Sequence, residues 1–387
     1  MTTPSFTVGI EEEYLLVDRT SRDLVREPTP DFLNACSNRL GERLAPEYLQ
    51  CQIEVGTGVH KTVGAAGVEL AGFRACLAEI AETHGYAVIA ASTHPFASWR
   101  DQRHTPRPRY EGLAADLGQT VDRMLICGFH VHIGIEDPDL RIDLMHQAAY
   151  FLPHLLALSC SSPFWEGRDT GLASYRLAVF DALPRTGLPD PVASHAEYRR
   201  MVEHLVAAGC IEDATKIWWD IRPSDRFPTL EQRVTDVCSR ISETVVVAAL
   251  YQALLAFLFR LRHNNQRWRV YPPTLIMENR WRAQRYGAEG RLVDHGRATM
   301  APFAELLAEL TGFLSEDAEM LGCREALLAA GTIANEGTSA TRQRAVHAGA
   351  LEAGATEHEA LCAVVDALIA DYARPLEARL APAEAAL

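Results

Sequence analysis

Three consecutive glutamates stand inside a run of β-forming residues, Val8-Gly9-Ile10-Glu11-Glu12-Glu13-Tyr14-Leu15-Leu16-Val17. No other stretch restricts the fold as much. A strand turns alternate side chains to opposite faces, so Glu11 and Glu13 share one face and Glu12 takes the other. Carboxylates held side by side in a sheet repel each other. A solvated edge strand tolerates that repulsion and uses it against aggregation. A covered strand needs a cation, and a divalent ion with oxygen ligands is the natural one, magnesium (Mg2+) above all where phosphate is handled.

Further strands follow with polar residues at the same spacing. Tyr48 to Val55 reads as a strand carrying Glu54, and Met124 to Gly134 as one carrying His130 and His132 on a common face. Trp218 to Pro223 and Thr229 to Asp236 read as short strands, the second with Glu231 and Arg233 on one face. The segment Gly56-Thr57-Gly58-Val59-His60-Lys61-Thr62 lacks the glycine before lysine that a Walker loop needs. Between the strands, Val63 to His84 has helical periodicity, with Val68, Leu70, Phe73, Leu77 and Ile80 as core positions. Leu140 to Cys160 reads as one long apolar helix. The run Thr244 to Leu261, within a helix from Ser242 to His263, is short for a membrane span of roughly 20 residues and reads as a buried helix. Tyr86 to Ala91 reads as a strand leading into the proline- and arginine-rich stretch from Ser92 to Tyr110, a candidate lid.

No strand is expected after Val293, and the chain from Ala301 onward is alanine-rich helix. Strands confined to the first two-thirds, with short irregular connections, predict an α+β fold with a mainly antiparallel sheet. The expected unit is a single catalytic domain over residues 1–387, strand-rich over 5–295 and helical over 300–372. The formal net charge of −14 excludes sequence-independent nucleic-acid binding. The first residues hold no charged-then-apolar signal segment. Nine cysteines without a C-x-x-C pair suit free thiols in the cytoplasm and supply no zinc or disulfide framework.

Glu11, Glu13, Glu54, His130 and Glu231 make a hard-cation set of the multi-metal kind that clamps polyphosphate. H-x-H on a strand is also a zinc arrangement in metal-dependent hydrolases, and His132 can equally be a hydrogen-bonded core residue. Arg176, Arg222, Arg233, Arg280, Arg282 and Arg285 lie in aromatic-rich or strand-like segments. Guanidinium suits paired contacts with phosphate or carboxylate, so their concentration points to a bound anion. Internal ion pairs to Asp220 and Asp236 are the competing use, expected of at least one of them.

Together, Gly9-Ile10-Glu11-Glu12-Glu13, Gln52-Ile53-Glu54, Thr93-His94-Pro95-Phe96, Gly128-Phe129-His130-Val131-His132, Trp219-Asp220-Ile221-Arg222-Pro223, Thr229-Leu230-Glu231-Gln232-Arg233 and Arg282-Ala283-Gln284-Arg285-Tyr286-Gly287 stand in a family order. The chain resembles the YbdK-type carboxylate–amine ligases, also called type-2 glutamate–cysteine ligases. The resemblance implies a fold like the catalytic domain of glutamine synthetase, a curved sheet whose concave face holds ATP and Mg2+ with helices outside. It implies ATP-dependent amide-bond formation through an acyl phosphate, nominally from glutamate and cysteine. Glu11, Glu13, Glu54 and Glu231 would then be metal ligands, and His130 a ligand or phosphate contact. Arg233 would be a phosphate contact, Arg176 and Arg222 catalytic, and Arg280, Arg285 and His132 on the nucleotide side. The expected partners are a small acid and a small amine, with a homodimer allowed and no nucleic acid or membrane. A guanidino-kinase-type phosphotransferase, a zinc hydrolase using His130 and His132, and a lapsed paralogue serving as a binding module are the alternatives.

Overall fold

The structure, a computed structural model, describes residues 2–382; the first residue and the last five of the expected domain lie outside that range. Seven strands make the main sheet. They are β1 (Val8–Asp18), β2 (Leu44–Pro46), β3 (Gln52–Gly56), β4 (Tyr86–Ile89), β5 (Gly128–Gly134), β6 (Ile221–Pro223) and β7 (Thr229–Asp236). Their order is β6-β7-β5-β1-β3-β2, with β4 also paired to β1. Every pairing in this sheet is antiparallel, as the short connections predict. β1 is long enough to serve several partners. It pairs with β5 through Val8–Glu12, with β3 through Glu11–Leu15 and with β4 through Leu15–Asp18.

Helices cover the face that carries Ile10, Glu12 and Tyr14. The helices Val63–Thr83 and Ile241–His263 pack on each other and on the sheet. Ile241–His263 is apolar enough to cross a membrane, but 89% of its most apolar window is buried inside the protein, so it is a core helix. The helices Phe303–Met320 and Arg324–Glu336 pack against it from outside.

Glu12 is fully buried on this helix-covered face. Arg74 of the Val63–Thr83 helix grips it at two points, Nη2 to Oε1 at 2.6 Å and Nε to Oε2 at 2.9 Å. The Thr244 hydroxyl donates to the same carboxylate at 2.6 Å. Arg74 is therefore a core residue of this helix, while Val68, read as core, is 41% exposed and Phe73 only half-buried. The periodicity of apolar residues could not show this, because the helix buries its cation against an anion from another element. We predict that Glu12→Ala destabilises the fold by about 3–5 kcal/mol, since it leaves a guanidinium buried and unpaired. Removing both charges, with Glu12→Met and Arg74→Met together, restores most of that loss in denaturant melts.

Three other expectations need correction. The stretch read as one helix from Leu140 to Cys160 is two, Pro138–Ala148 and Leu152–Ser159, joined by a 3-10 turn. Pro153 sits in the first turn of the second, where its missing N–H costs nothing. A strand does follow Val293: Thr299–Pro302 pairs with Arg291–Asp294 in a separate hairpin. The start of the candidate lid is bolted to the core. Ser92 accepts from the Val237 N–H at 2.8 Å, Thr93 donates to the Phe164 carbonyl at 2.8 Å, and the buried His94 ring bonds the Arg22 carbonyl. Only the later part, where Pro108–Leu117 forms a helix, reaches the open face of the sheet.

Candidate active site

Sheet register assembles the site. Glu13 lies opposite Glu54, Glu11 opposite His130, and His132 opposite Glu231, while Arg222 pairs with Glu231 from the edge strand. Directly opposed residues share a face, so five strands, three of them carrying carboxylates, present one polar row. The row lines a cavity of about 490 Å³ on the uncovered face. Arg233 joins the row two residues on from Glu231. The β5–β7 register shifts between Gln232 and Thr235, and Arg233 stands in the bulge, its N–H donating to the Asp220 carbonyl at 2.8 Å. The bulge sets Arg233 and Val234 together opposite His130 and leaves Arg233 on the face that alternation gives it.

One oxygen or nitrogen from each of Glu11, His132 and Glu231 falls within a 4.8 Å cluster. Glu11 reaches both imidazoles, at 3.5 Å from His130 Nδ1 and 3.5 Å from His132 Nε2. Thr229 bonds His132 Nδ1 at 3.0 Å and so orients the ring. Glu231 is held by Arg222, with Nε to Oε2 at 2.9 Å, and by the Arg233 guanidinium. Glu13 accepts the Gly128 N–H at 2.5 Å. Arg176 is buried behind Gly128 and donates to the Arg233 carbonyl at 3.2 Å. Asp236 faces it with negative charge and is itself fixed by the Ser161 N–H and the Ser162 and Ser174 hydroxyls.

The protonation of these groups follows from burial and neighbours. Burial alone would raise the Glu11 carboxyl; hydrogen bonds and charge from His130 and His132 hold it well below the usual range. Glu231 is likewise low, because Arg233 and Arg222 outweigh its burial. Burial pushes Glu54 well up, reinforced by a hydrogen bond to Glu47, and Glu47 and Glu13 are raised by burial as well. Burial and the Arg233 charge bring His130 down to about 4, which leaves its imidazole neutral near pH 7 with a free lone pair.

These residues fit a divalent cation. The His130 Nε2 atom is buried without a hydrogen-bond partner among the described residues, and His132 Nε2 has only the Glu11 carboxylate at 3.5 Å. Glu47 and Glu54 stand as a carboxyl pair that must share a proton unless a cation replaces it. The donor set is dominated by carboxylate oxygen, which suits a hard ion more than zinc.

Of the residues singled out from the sequence, Glu11, Glu13, Glu54, His130, His132, Arg176, Arg222, Glu231 and Arg233 all line this cavity. Arg280 and Arg285 do not. Arg280 is 1% exposed and fully taken up by Asp181 and Asp220, with Nη1 to Asp181 Oδ2 and Nε to Asp220 Oδ2 both at 2.6 Å. Arg285 lies against Tyr286, 5.0 Å from the ring centroid. Arg282 donates to the Arg291 carbonyl. All three ride on the helix Pro273–Tyr286, which packs away from the open face. Sequence reasoning missed Glu47, Arg107, Arg109, Lys216 and Arg226, which also line the cavity. Arg107 and Arg109 were visible as an arginine-rich segment. Glu47 carried no local signal, since only the β2–β3 pairing brings it beside Glu54.

A family model described as glutamate-cysteine ligase family 2 matches residues 7–366. A protein of Rhodospirillum rubrum named "Putative glutamate--cysteine ligase 2" is 57% identical over 382 residues, 98% of each chain. One of the same name from Jannaschia sp. is 53% identical over 367 residues, 95% of this chain and 97% of the other. Among solved structures, the glutamate–cysteine ligase of Francisella tularensis in complex with AMP has a TM-score of 0.68 at 13% identity, covering 99% of this chain and 91% of that one. A bifunctional glutathione synthetase from Pasteurella multocida has a TM-score of 0.66 at 14% identity, over 95% of this chain and 52% of that one. The structural likenesses establish a common fold. The family match and the near-full-length relatives go further: this chain belongs to glutamate–cysteine ligase family 2.

Proposed function

We propose that the protein is an ATP-dependent carboxylate–amine ligase, with glutamate as the acid and cysteine as the amine. The row of carboxylates, imidazoles and arginines gathered by sheet register in one cavity carries this reading. Family membership supports it, and so does the AMP in the structurally similar Francisella ligase.

A carboxylate does not acylate an amine at neutral pH, because oxide is too poor a leaving group. Transfer of the γ-phosphoryl of ATP to the acid gives an acyl phosphate and ADP. The amine then attacks the acyl carbon, the C–O bond to phosphate breaks, and phosphate leaves as the amine loses its proton. Glu11, His132 and Glu231 would hold a divalent ion, with Glu13, Glu54, Glu47 and His130 beside them. Mg2+ held there supplies charge neutralisation on the phosphate oxygens. Arg233, on the same face as Glu231, and Arg176, wedged behind Gly128, present fixed positive charge where negative charge builds up. Arg222 keeps Glu231 ionised and in place. Positioning and electrostatics do the rest, which accords with the lack of a nucleophile motif such as G-x-S-x-G.

The test is a screen of amino acids and amines with ATP and Mg2+, following ADP and phosphate with product masses. We expect amine-dependent release of both, together with an amide. Phosphorylated amine without free phosphate would establish a kinase instead. Stoichiometric zinc and ATP-independent hydrolysis would establish the hydrolase.

A further inference from the structure

A second cavity, of about 400 Å³, lies behind the segment 224–227, which forms a wall common to it and the active-site cavity. Its lining carries three arginines, Arg141, Arg199 and Arg226, with His195 beside them. Two carboxylates, Glu203 and Asp225, share the lining, and Glu203 is engaged by Arg199 at 2.9 Å. Neither Arg141 nor Arg226 has a carboxylate within ion-pair distance among the described residues. Asp137 and Glu136 act on Arg141 from beyond that distance, so the recess is mixed in charge, with Arg141 and Arg226 left free of close anions.

Two unpartnered polar groups line the same recess. Tyr198 is 5% exposed, and its hydroxyl is buried without a hydrogen-bond partner among the described residues. The Arg141 Nε is buried and unpartnered too. Buried donors are ordinarily satisfied, and a lone one costs about 1–3 kcal/mol. Each can donate, and an anionic oxygen placed between them would satisfy both.

We infer that this cavity is a binding site, separate from the active-site cavity, for a small molecule carrying a phosphate or carboxylate group. Arg141 and Tyr198 donate to that group, and Arg199 and Arg226 supply charge at the mouth. The volume is that of a small-metabolite pocket, larger than a bare ion needs. The site also has a route to the chemistry. Arg141 donates from Nη1 to the Phe227 carbonyl at 3.3 Å, and the Phe227 ring stands edge-on to His132 at 6.0 Å between centroids. A ligand that draws Arg141 inward loosens the turn carrying Phe227.

Calorimetric titration of the full-length protein with inorganic phosphate, and separately with malonate, tests this. We expect saturable binding of one equivalent of at least one probe, and the tighter of the two identifies the preferred head group. Arg141→Ala should weaken it at least about tenfold, the worth of a charge-assisted hydrogen bond. Tyr198→Phe and the surface variant Arg199→Ala should each weaken it about threefold. Arg233→Gln, in which Arg222 still pairs with Glu231, should leave it unchanged. The inference is overturned if neither probe binds, or if binding survives all three recess variants and disappears in Arg233→Gln. It is overturned equally if an ATP analogue with Mg2+ displaces the probe, since the recess would then be the outer end of the nucleotide's own seat.

Discussion

Replacing Glu231 by glutamine should lower kcat on the order of a thousandfold, the scale on which a single preorganised charge acts in such sites. Glu231 stands opposite His132, shares a 4.8 Å cluster with it and with Glu11, and holds Arg222 and Arg233. Glutamine keeps the shape and removes the charge, so two buried guanidiniums lose their anion. That should cost about 3–5 kcal/mol of stability at neutral pH. The folded-state carboxyl is held below its unfolded value, because Arg233 and Arg222 outweigh its burial. Its stabilising contribution is therefore complete above the unfolded carboxylate pKa of about 4.3 and fades as pH falls toward the folded value. Glutamine does not titrate. Denaturant melts should show the gap between wild type and Glu231→Gln widest at pH 7 and narrower at pH 3. An equal gap at both pH values would remove the ion pairs from the explanation.

Gly128→Ala should cost about a hundredfold in kcat, the effect of displacing a positioned group by roughly an ångström, while the fold persists. A Cβ at this position would lie 2.5 Å from Arg176 Nη2 and 3.0 Å from His130 Nε2. The Gly128 backbone is ordinary strand, so the glycine is needed for space and not for its torsion angles. Arg176 must shift, and in shifting it gives up its bond to the Arg233 carbonyl and its place beside Asp236. Overpacking of this kind costs about 1–3 kcal/mol, too little to unfold a chain of this size. Gly128→Ala combined with Arg176→Ala should be no less active than Arg176→Ala alone, because the two act through one guanidinium. Fully additive losses would show that Gly128 acts elsewhere.

Much of the site was legible because strands have a period of two. That alternation alone separates Glu11 and Glu13 from Glu12, and it joins His130 to His132 and Glu231 to Arg233. For the last pair the face is right although the strand bulges at Arg233. The helix Ile241–His263 was legible within a residue, since its apolar content leaves few alternatives. Legibility ended where a charge is answered by a distant one. Arg280 and Arg285 resemble a nucleotide-facing basic stretch as text, yet Arg280 is neutralised by Asp181 and Asp220, which lie on other elements. Glu12 looks like its two neighbours, and nothing local shows that Arg74 waits for it.

From the amino-acid order alone came the faces: which side chains along each strand point together, and that Glu11 and Glu13 on one face repel unless solvated or met by a cation. The tertiary structure alone decided the neighbours: Glu13 beside Glu54, His132 beside Glu231, and Glu47 beside Glu54. The division is physical. Side-chain alternation arises within a few bonds of backbone, whereas strand order and register are set by pairing and burial between separate strands, which no local pattern encodes.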